Sequence, residues 1–216
     1  MKLIIVGAPG AGKGTMSEEL VKKYNFPHIS TGDMFRDHLA RKTELGLTAK
    51  GYMDRGELVP DSLTIQLVKE RLTRPDCKDG YLLDGFPRNE AQAEFFMNML
   101  EETNLGLDAV LYLDVDFDKL IKRITGRRIC KECKSVYHTE FSPSKQEGIC
   151  DNCGGELYQR ADDTEEALKQ RLTAYSAETM PVINFFEKLG YVRHVNANQS
   201  IEKVTEDMFK SLEESN

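Results

Sequence analysis

The stretch Lys2-Leu3-Ile4-Ile5-Val6-Gly7-Ala8-Pro9-Gly10-Ala11-Gly12-Lys13-Gly14-Thr15 decides the fold. Leu3 to Val6 is a short apolar run rich in β-branched residues, which predicts a buried strand. Met16 to Tyr24 predicts a helix. A glycine-rich turn between the two lets backbone N–H groups curl around an anion, and the helix start adds positive partial charge. Lys13 is placed to reach the outer phosphates of a nucleotide. The generic phosphate-loop motif has Ser or Thr directly after the lysine, as a magnesium ligand. Here Gly14 stands there and the hydroxyl follows at Thr15. A turn that merely closes a βα unit is the plain alternative; it leaves the register of strand, loop, lysine and helix unexplained.

Working outward, apolar and β-branched segments recur at Pro27–Ser30, Tyr81–Asp84, Ala109–Val115 and Tyr191–Val195. Between them, helical spacing joins Leu63, Leu67, Val68 and Leu72, then Ala91, Phe95, Phe96 and Met99. It returns at Leu168, Leu172 and Tyr175, and at Ile201, Val204, Met208 and Leu212. Strands alternating with helices predict an α/β fold whose parallel sheet is covered on both faces. Two stretches break the alternation. Residues 31–59 hold helices and turns without a strand, and residues 126–163 are rich in Cys, Gly, Pro and Ser. Both read as excursions from one core. The polar end from Glu213 to Asn216 is expected to fray.

Bulk properties bound the partners. The 216 residues carry a net charge of -7, which disfavours broad attraction to nucleic acid or an anionic membrane. The run Leu3–Val6 is too short for a signal segment or a membrane span, so a cytoplasmic location is expected.

Cys130-x2-Cys133 and Cys150-x2-Cys153 are separated by 16 residues. Two such knuckles supply four thiolates to one tetrahedral zinc, a closed and therefore structural site. Iron fits the same cage; the alternatives are unrelated thiols or disulfides, the latter disfavoured in a cytoplasmic chain. His138 lies in the same segment, but four thiolates complete the set, so it reads as a surface or packing histidine, like His28, His38 and His194. Cys77 reads as a small, partly buried residue. A zinc ribbon also suggests nucleic acid, yet residues 126–163 hold six Lys/Arg against seven Asp/Glu, where a nucleic-acid ribbon is basic.

Tyr81-Leu82-Leu83-Asp84 ends a strand in a carboxylate, followed by Gly85-Phe86-Pro87-Arg88. An acid there, beside a phosphate loop, is placed to orient Mg²⁺; the alternative is a cap for the next helix. Arg36, Arg88, Arg123, Arg127, Arg128, Arg160 and Arg171 together suggest a site that neutralises much phosphate charge.

These residues, with Ser30-Thr31-Gly32-Asp33-Met34-Phe35-Arg36, Gly56-Glu57-Leu58-Val59-Pro60-Asp61, Gln92, Gly126-Arg127-Arg128 and Arg160-x-Asp162-Asp163, match one family. The chain resembles adenylate kinases of the bacterial long-lid, zinc-containing type over essentially its whole length. Gly14 is itself typical of that family. The resemblance implies a three-layer α/β/α fold like that of P-loop nucleoside triphosphate hydrolases, with a central five-stranded parallel sheet and a small zinc-ribbon-like lid. It divides the chain into a core of residues 1–29, 60–125 and 164–216, an AMP-binding arm of residues 30–59 and a lid of residues 126–163.

By the same resemblance, Gly10, Ala11, Gly12, Lys13, Gly14 and Thr15 cradle the phosphates of ATP. Arg127, Val136 and Tyr137 meet ATP from the lid, and Gln199 lies near its adenine. Thr31, Arg36, Glu57, Leu58, Val59, Gly85, Phe86, Pro87, Arg88 and Gln92 hold AMP. Lys13, Asp84, Arg88, Arg123, Arg160 and Arg171 form the catalytic set, with Arg160 and Arg171 also facing AMP. Asp162 and Asp163 orient lid arginines. Met16 and Asn89 depart from the family's usual Gln and Thr.

The implied reaction is ATP + AMP ⇌ 2 ADP, Mg²⁺-dependent, in a monomer. Three rivals stand at this point: a kinase for another monophosphate such as UMP or CMP, a nucleotide-dependent switch with a partner-binding zinc ribbon, and a non-enzymatic zinc-ribbon protein. Phosphoryl transfer dependent on AMP separates them.

Overall fold

A computed structural model describes residues 1–213. The chain begins with β1 (Lys2–Gly7), α1 (Lys13–Tyr24) and β2 (His28–Ser30). It continues through α2 (Thr31–Ala40), α3 (Glu44–Asp54), α4 (Asp61–Leu72), β3 (Tyr81–Asp84), α5 (Glu90–Thr103) and β4 (Ala109–Asp114). Next come α6 (Leu120–Thr125) and three short strands, β5 (Arg127–Cys130), β6 (Val136–His138) and β7 (Leu157–Tyr158). The fold closes with α7 (Glu165–Ala174), α8 (Met180–Lys188), β8 (Val192–Asn196) and α9 (Ile201–Glu213).

Five strands form one parallel sheet in the order β2-β3-β1-β4-β8. The side-chain period of two sends successive residues of each inner strand to opposite faces. Leu3, Ile5, Leu82, Leu111 and Leu113 pack on one side with Leu20 of α1, Leu168 of α7 and Met208 of α9. Ile4, Val6, Tyr81, Leu83 and Val110 pack on the other with Val68 of α4, Phe96 of α5 and Phe186 of α8. The sheet is therefore the middle of three layers, the expected α/β/α arrangement. β1 is central, with β3 and β2 on one side of it and β4 and β8 on the other, so the loop after β1 opens at the switch point where ligands bind in open α/β sheets.

The two excursions are built differently. In residues 30–59, Phe35, Ala49 and Val59 form a small apolar cluster of their own with Leu67 of α4. Residues 126–163 hold an antiparallel sheet in the order β6-β5-β7, and their buried side chains are Ile129, Cys130, Cys150 and Asp163. The polar end differs in part from expectation: Glu213 completes α9 and pairs with Lys23 at 3.1 Å, while the other three residues of that end lie outside the described ones. Among the described residues, no helix is long and apolar enough to cross a membrane.

Candidate active site

Gly12 caps α1 at φ 99°, and a Cβ there would meet nothing within 4 Å. Its glycine therefore serves backbone conformation rather than space. The side chains of Ser30, Thr43, Asn89 and Thr164 accept from the first turns of α2, α3, α5 and α7. No side chain caps α1, and its first turn carries no acid. Its N–H groups are left to the loop, as an anion cradle requires. A Cβ at Gly14 would sit 3.5 Å from Val136 Cγ2, an ordinary contact, so space does not exclude a larger residue.

Lys13 Nζ donates to Gly7 O at 2.8 Å and Ala8 O at 3.2 Å. Burial lowers its pKa from 10.5 to about 8; Asp84 opposes that shift, and Arg88, Arg171 and Arg127 add to it. Asp84, level with Ile5 of β1 and Ser30 of β2, feels burial upward. His28 and Lys13 outweigh burial, holding the carboxylate below its usual range. His28, read from sequence as a surface or packing residue, has Nε2 3.8 Å from Asp84 Oδ2. Burial pulls its imidazole down, but Asp84 and Asp33 raise it above its ordinary value.

Two adjoining clefts open beside the sheet. One is lined by Thr31, Arg36, Glu57, Leu58, Val59, Gly85, Arg88, Gln92 and Arg171, among others. The second is lined by Gly7, Lys13, Phe86, Pro87, Tyr175 and Thr179, among others. They share Gly56, Leu58, Gly85, Arg88 and Arg171. Of the residues expected to hold AMP, all but Arg160 line these two clefts. Thr31 donates from Oγ1 to Gly85 O at 2.8 Å. Arg88 donates from Nε to the same carbonyl at 2.8 Å, and its own carbonyl accepts from Thr179 at 2.9 Å. Thr179 belongs to a π-helical segment, Tyr175–Thr179, between α7 and α8.

The arginines converge with carboxylates between them. Asp33 accepts from Arg36 Nη2 at 2.7 Å and from Arg160 Nη2 at 3.1 Å, joining the two excursions. Burial raises the Asp33 pKa, but Arg36 and Arg160 bring it down to about 2. Arg171 Nη1 donates to Asp162 at 3.1 Å, and Arg127 makes a two-pronged contact with the buried Asp163. Burial lowers Arg160 and Arg171 to about 10, against the pull of Asp162. Arg160 Nε is buried without a hydrogen-bond partner. Such an atom costs free energy unless an acceptor completes it, and a phosphate oxygen is the acceptor this set of cations suits.

Arg123 lies apart from that cluster. It donates to Ala197 O at 2.9 Å and Ala11 O at 3.5 Å, bridging the loop after β1 to the turn after β8. Gln199 sits in that same turn, donating to Asn196 O and Asp207. Val136 lies over α1, where its N–H donates to Glu18 Oε1 at 3.1 Å; burial pushes the Glu18 carboxyl above its usual range. Tyr137 points its hydroxyl to the cysteines, accepting from Asp151 N at 2.8 Å and lying 3.4 Å from Cys150 Sγ.

The sulfurs of Cys130, Cys133, Cys150 and Cys153 all lie within 4.8 Å of one another. The pairs Cys130–Cys153 and Cys133–Cys150 stand at 3.4 and 3.5 Å. A tetrahedral zinc with bonds near 2.3 Å separates its sulfurs by about 3.8 Å, so the four fit a metal cage and are too far apart for disulfides. His138 is outside it. Its Nε2 meets Lys122 O at 2.9 Å, and Nδ1 accepts from Glu140 N and Phe141 N, which makes it the packing histidine expected. Glu18, Asp33, Asp61 and Thr179 carry contacts at the site that the sequence reading gave no role. Asp33 and Asp61 stand inside the quoted motifs, which was the available signal.

The sequence model of the family described as adenylate kinase matches residues 5–192. Proteins named adenylate kinase from Geobacillus sp. (strain WCH70) and Thermodesulfovibrio yellowstonii are 55% identical over 98% of each chain and 54% identical over 99% of each chain. One from Bacillus cytotoxicus is 53% identical over 96% of each chain. The match runs through the loop after β1, the arginine–carboxylate cluster and both cysteine knuckles, and by it the chain belongs to the adenylate kinase family.

Proposed function

We propose that the chain transfers the terminal phosphate of ATP directly to AMP, reversibly giving two ADP, and so balances the adenine nucleotides. The observation that carries this reading is the pair of clefts that share Arg88 and Arg171. A single-nucleotide switch has no use for a second cleft on the far side of the same arginines.

ATP lies with its phosphates on residues Gly10 to Thr15, under Arg127, Val136 and Tyr137, and with its adenine toward Gln199. AMP takes the cleft of Thr31, Arg36, Glu57 to Val59, Gly85 to Arg88 and Gln92. Its phosphate oxygen is already anionic and needs no general base, so alignment and charge stabilisation supply the catalysis. Bringing the two nucleotides together opposes about six negative charges. Lys13, Arg88, Arg123, Arg160 and Arg171 answer them with fixed donors. Magnesium bound with ATP neutralises phosphate charge; Asp84, kept ionised, would hold its water shell, since Gly14 offers no hydroxyl. Zinc in the four-cysteine cage would be structural.

The core of residues 1–29, 60–125 and 164–216 stays fixed while the AMP arm, 30–59, and the lid, 126–163, close. Closure excludes water, the competing acceptor. The Asp33–Arg160 contact supports this reading, because it joins arm to lid. The protein acts as a cytoplasmic monomer, and its net charge of -7 favours neither nucleic acid nor membrane as partner.

A coupled assay across AMP, GMP, CMP and UMP, with a no-acceptor control, tests the reading. Rapid ADP formation with AMP alone is expected. Slow hydrolysis indifferent to AMP would overturn it in favour of a switch, and preference for UMP or CMP would move it to another base. Lys13→Ala is expected to remove most turnover with the fold intact.

A further inference from the structure

Gln92 is 1% exposed, yet its amide makes two bonds of opposite sense. Nε2 donates to Asp61 Oδ1 at 2.6 Å, and Oε1 accepts from Arg88 N at 2.8 Å. A carboxylate only accepts, and a backbone N–H only donates. Turning the amide by 180° would set Oε1 against the carboxylate and Nε2 against the N–H, so its orientation is fixed by chemistry. Asp61 is held in turn: Asn89 Nδ2 donates to both its oxygens at 3.0 and 3.1 Å. Asn89 cannot turn either, because its Oδ1 accepts from Gln92 N at 2.9 Å.

We propose that Asp61 is a positioning residue that sets base selection by locking the parity of the Gln92 amide. This rests on the reading that Gln92 faces the base of AMP. After its two bonds, the amide retains one N–H on Nε2 and one lone pair on Oε1 for the cleft that Gln92 lines. Adenine presents a donor, its 6-amino group, beside an acceptor, N1; the remaining pair of the amide matches it side by side. Hypoxanthine presents the reverse, an O6 acceptor beside an N1–H donor. An amide free to turn reads both bases equally well. A locked amide reads adenine and meets hypoxanthine donor to donor and acceptor to acceptor. A good bidentate amide–base pair discriminates by roughly 5- to 150-fold.

The test compares AMP with IMP, which differ at this edge but not in bulk. Asp61→Ala removes the acceptor that holds Nε2 and leaves Arg88 N as the other half of the lock. Asp61→Asn can keep an oxygen at Oδ1, where both Gln92 and Asn89 donate, and is the control that preserves it. In Asp61→Ala the ratio of kcat/KM for AMP over IMP is expected to fall about fivefold, with the KM for ATP unchanged; in Asp61→Asn it should hold. Parallel loss on AMP and IMP in Asp61→Ala, leaving the ratio at its original value, would show a merely structural role and overturn the proposal, as would no gain on IMP in that variant. Gln92→Leu separates the two layers. A KM for AMP unaffected by that change removes the reading beneath the proposal; a raised KM together with an unmoved ratio in Asp61→Ala removes the lock alone.

Discussion

Residues 30–59 and 126–163 leave the same core and meet at Asp33–Arg160, but they hold their shapes by different means. The first buries Phe35, Ala49 and Val59 in an apolar cluster. The second, a stretch of 38 residues, buries one large aliphatic side chain, Ile129, and brings four sulfurs together instead. With so little apolar surface buried, that segment cannot order itself by burial alone, and a metal held by the four sulfurs would supply what its core lacks. One excursion is held by apolar burial and the other brings together a four-sulfur metal cage, so different reagents should undo them.

The metal gives the largest effect. Chelation, or Cys133→Ser with Cys150→Ser, should abolish amide protection across residues 126–163 while sparing residues 30–59, since structural zinc is worth on the order of 10 kcal/mol to small domains. Thermal stability should fall more than turnover at low temperature. Equal loss of protection in both excursions by hydrogen exchange would erase the contrast.

Next comes the contact between them. Arg160→Met should lower kcat by about 10³-fold and leave both excursions folded, because it removes charge from the phosphates and the bridge to Asp33. Near-normal kcat would mean that the excursions need not meet. Within residues 30–59, Phe35→Ala should cost about 3 kcal/mol of stability and raise the KM for AMP with metal content unchanged. A loss of bound metal in that variant would couple two supports drawn here as independent.

The smallest effect concerns Lys13, which shares a cleft with Gly56 and Leu58 of the first excursion. Its pKa of about 8 should rise when phosphates bind, so MgATP binding at pH 8.5 should take up roughly three-quarters of a proton. Calorimetry in two buffers of different ionisation enthalpy reads that number, and Lys13→Met should abolish it. Between pH 8 and 10.5 the unfolded chain binds more protons at this lysine than the folded one does. Its contribution to stability therefore rises with pH across that window.

The contrast also explains what was legible in sequence. The sheet strands were plain because both faces are buried and their runs are apolar, as in Leu3–Val6 and Tyr81–Asp84. The cage was plain because ligand spacing is local. α6, at six residues, is too short to show a period. α8 buries Val182, Ile183 and Phe186, but Pro181 reads as a break rather than a first-turn residue. The pairings of the site were the least legible. Asp33 meets Arg160 across 127 positions and Gln92 meets Asp61 across 31, and no local pattern encodes them. His28 is exposed, as a surface histidine was expected to be, but its contact with Asp84 was hidden for the same reason: that partner comes from the next strand of the sheet, not from its own segment.

Asp162 and Asp163 are consecutive, yet Asp162 holds Arg171 of α7 and Asp163 holds Arg127 of β5. Consecutive Cα atoms are fixed about 3.8 Å apart by a trans peptide. Whatever angle residues 126–163 take to the core, these two guanidinium groups stay tethered to neighbouring links of one chain. The dipeptide is a covalent ruler, and it meters the spacing of two positive charges by bond lengths rather than by packing.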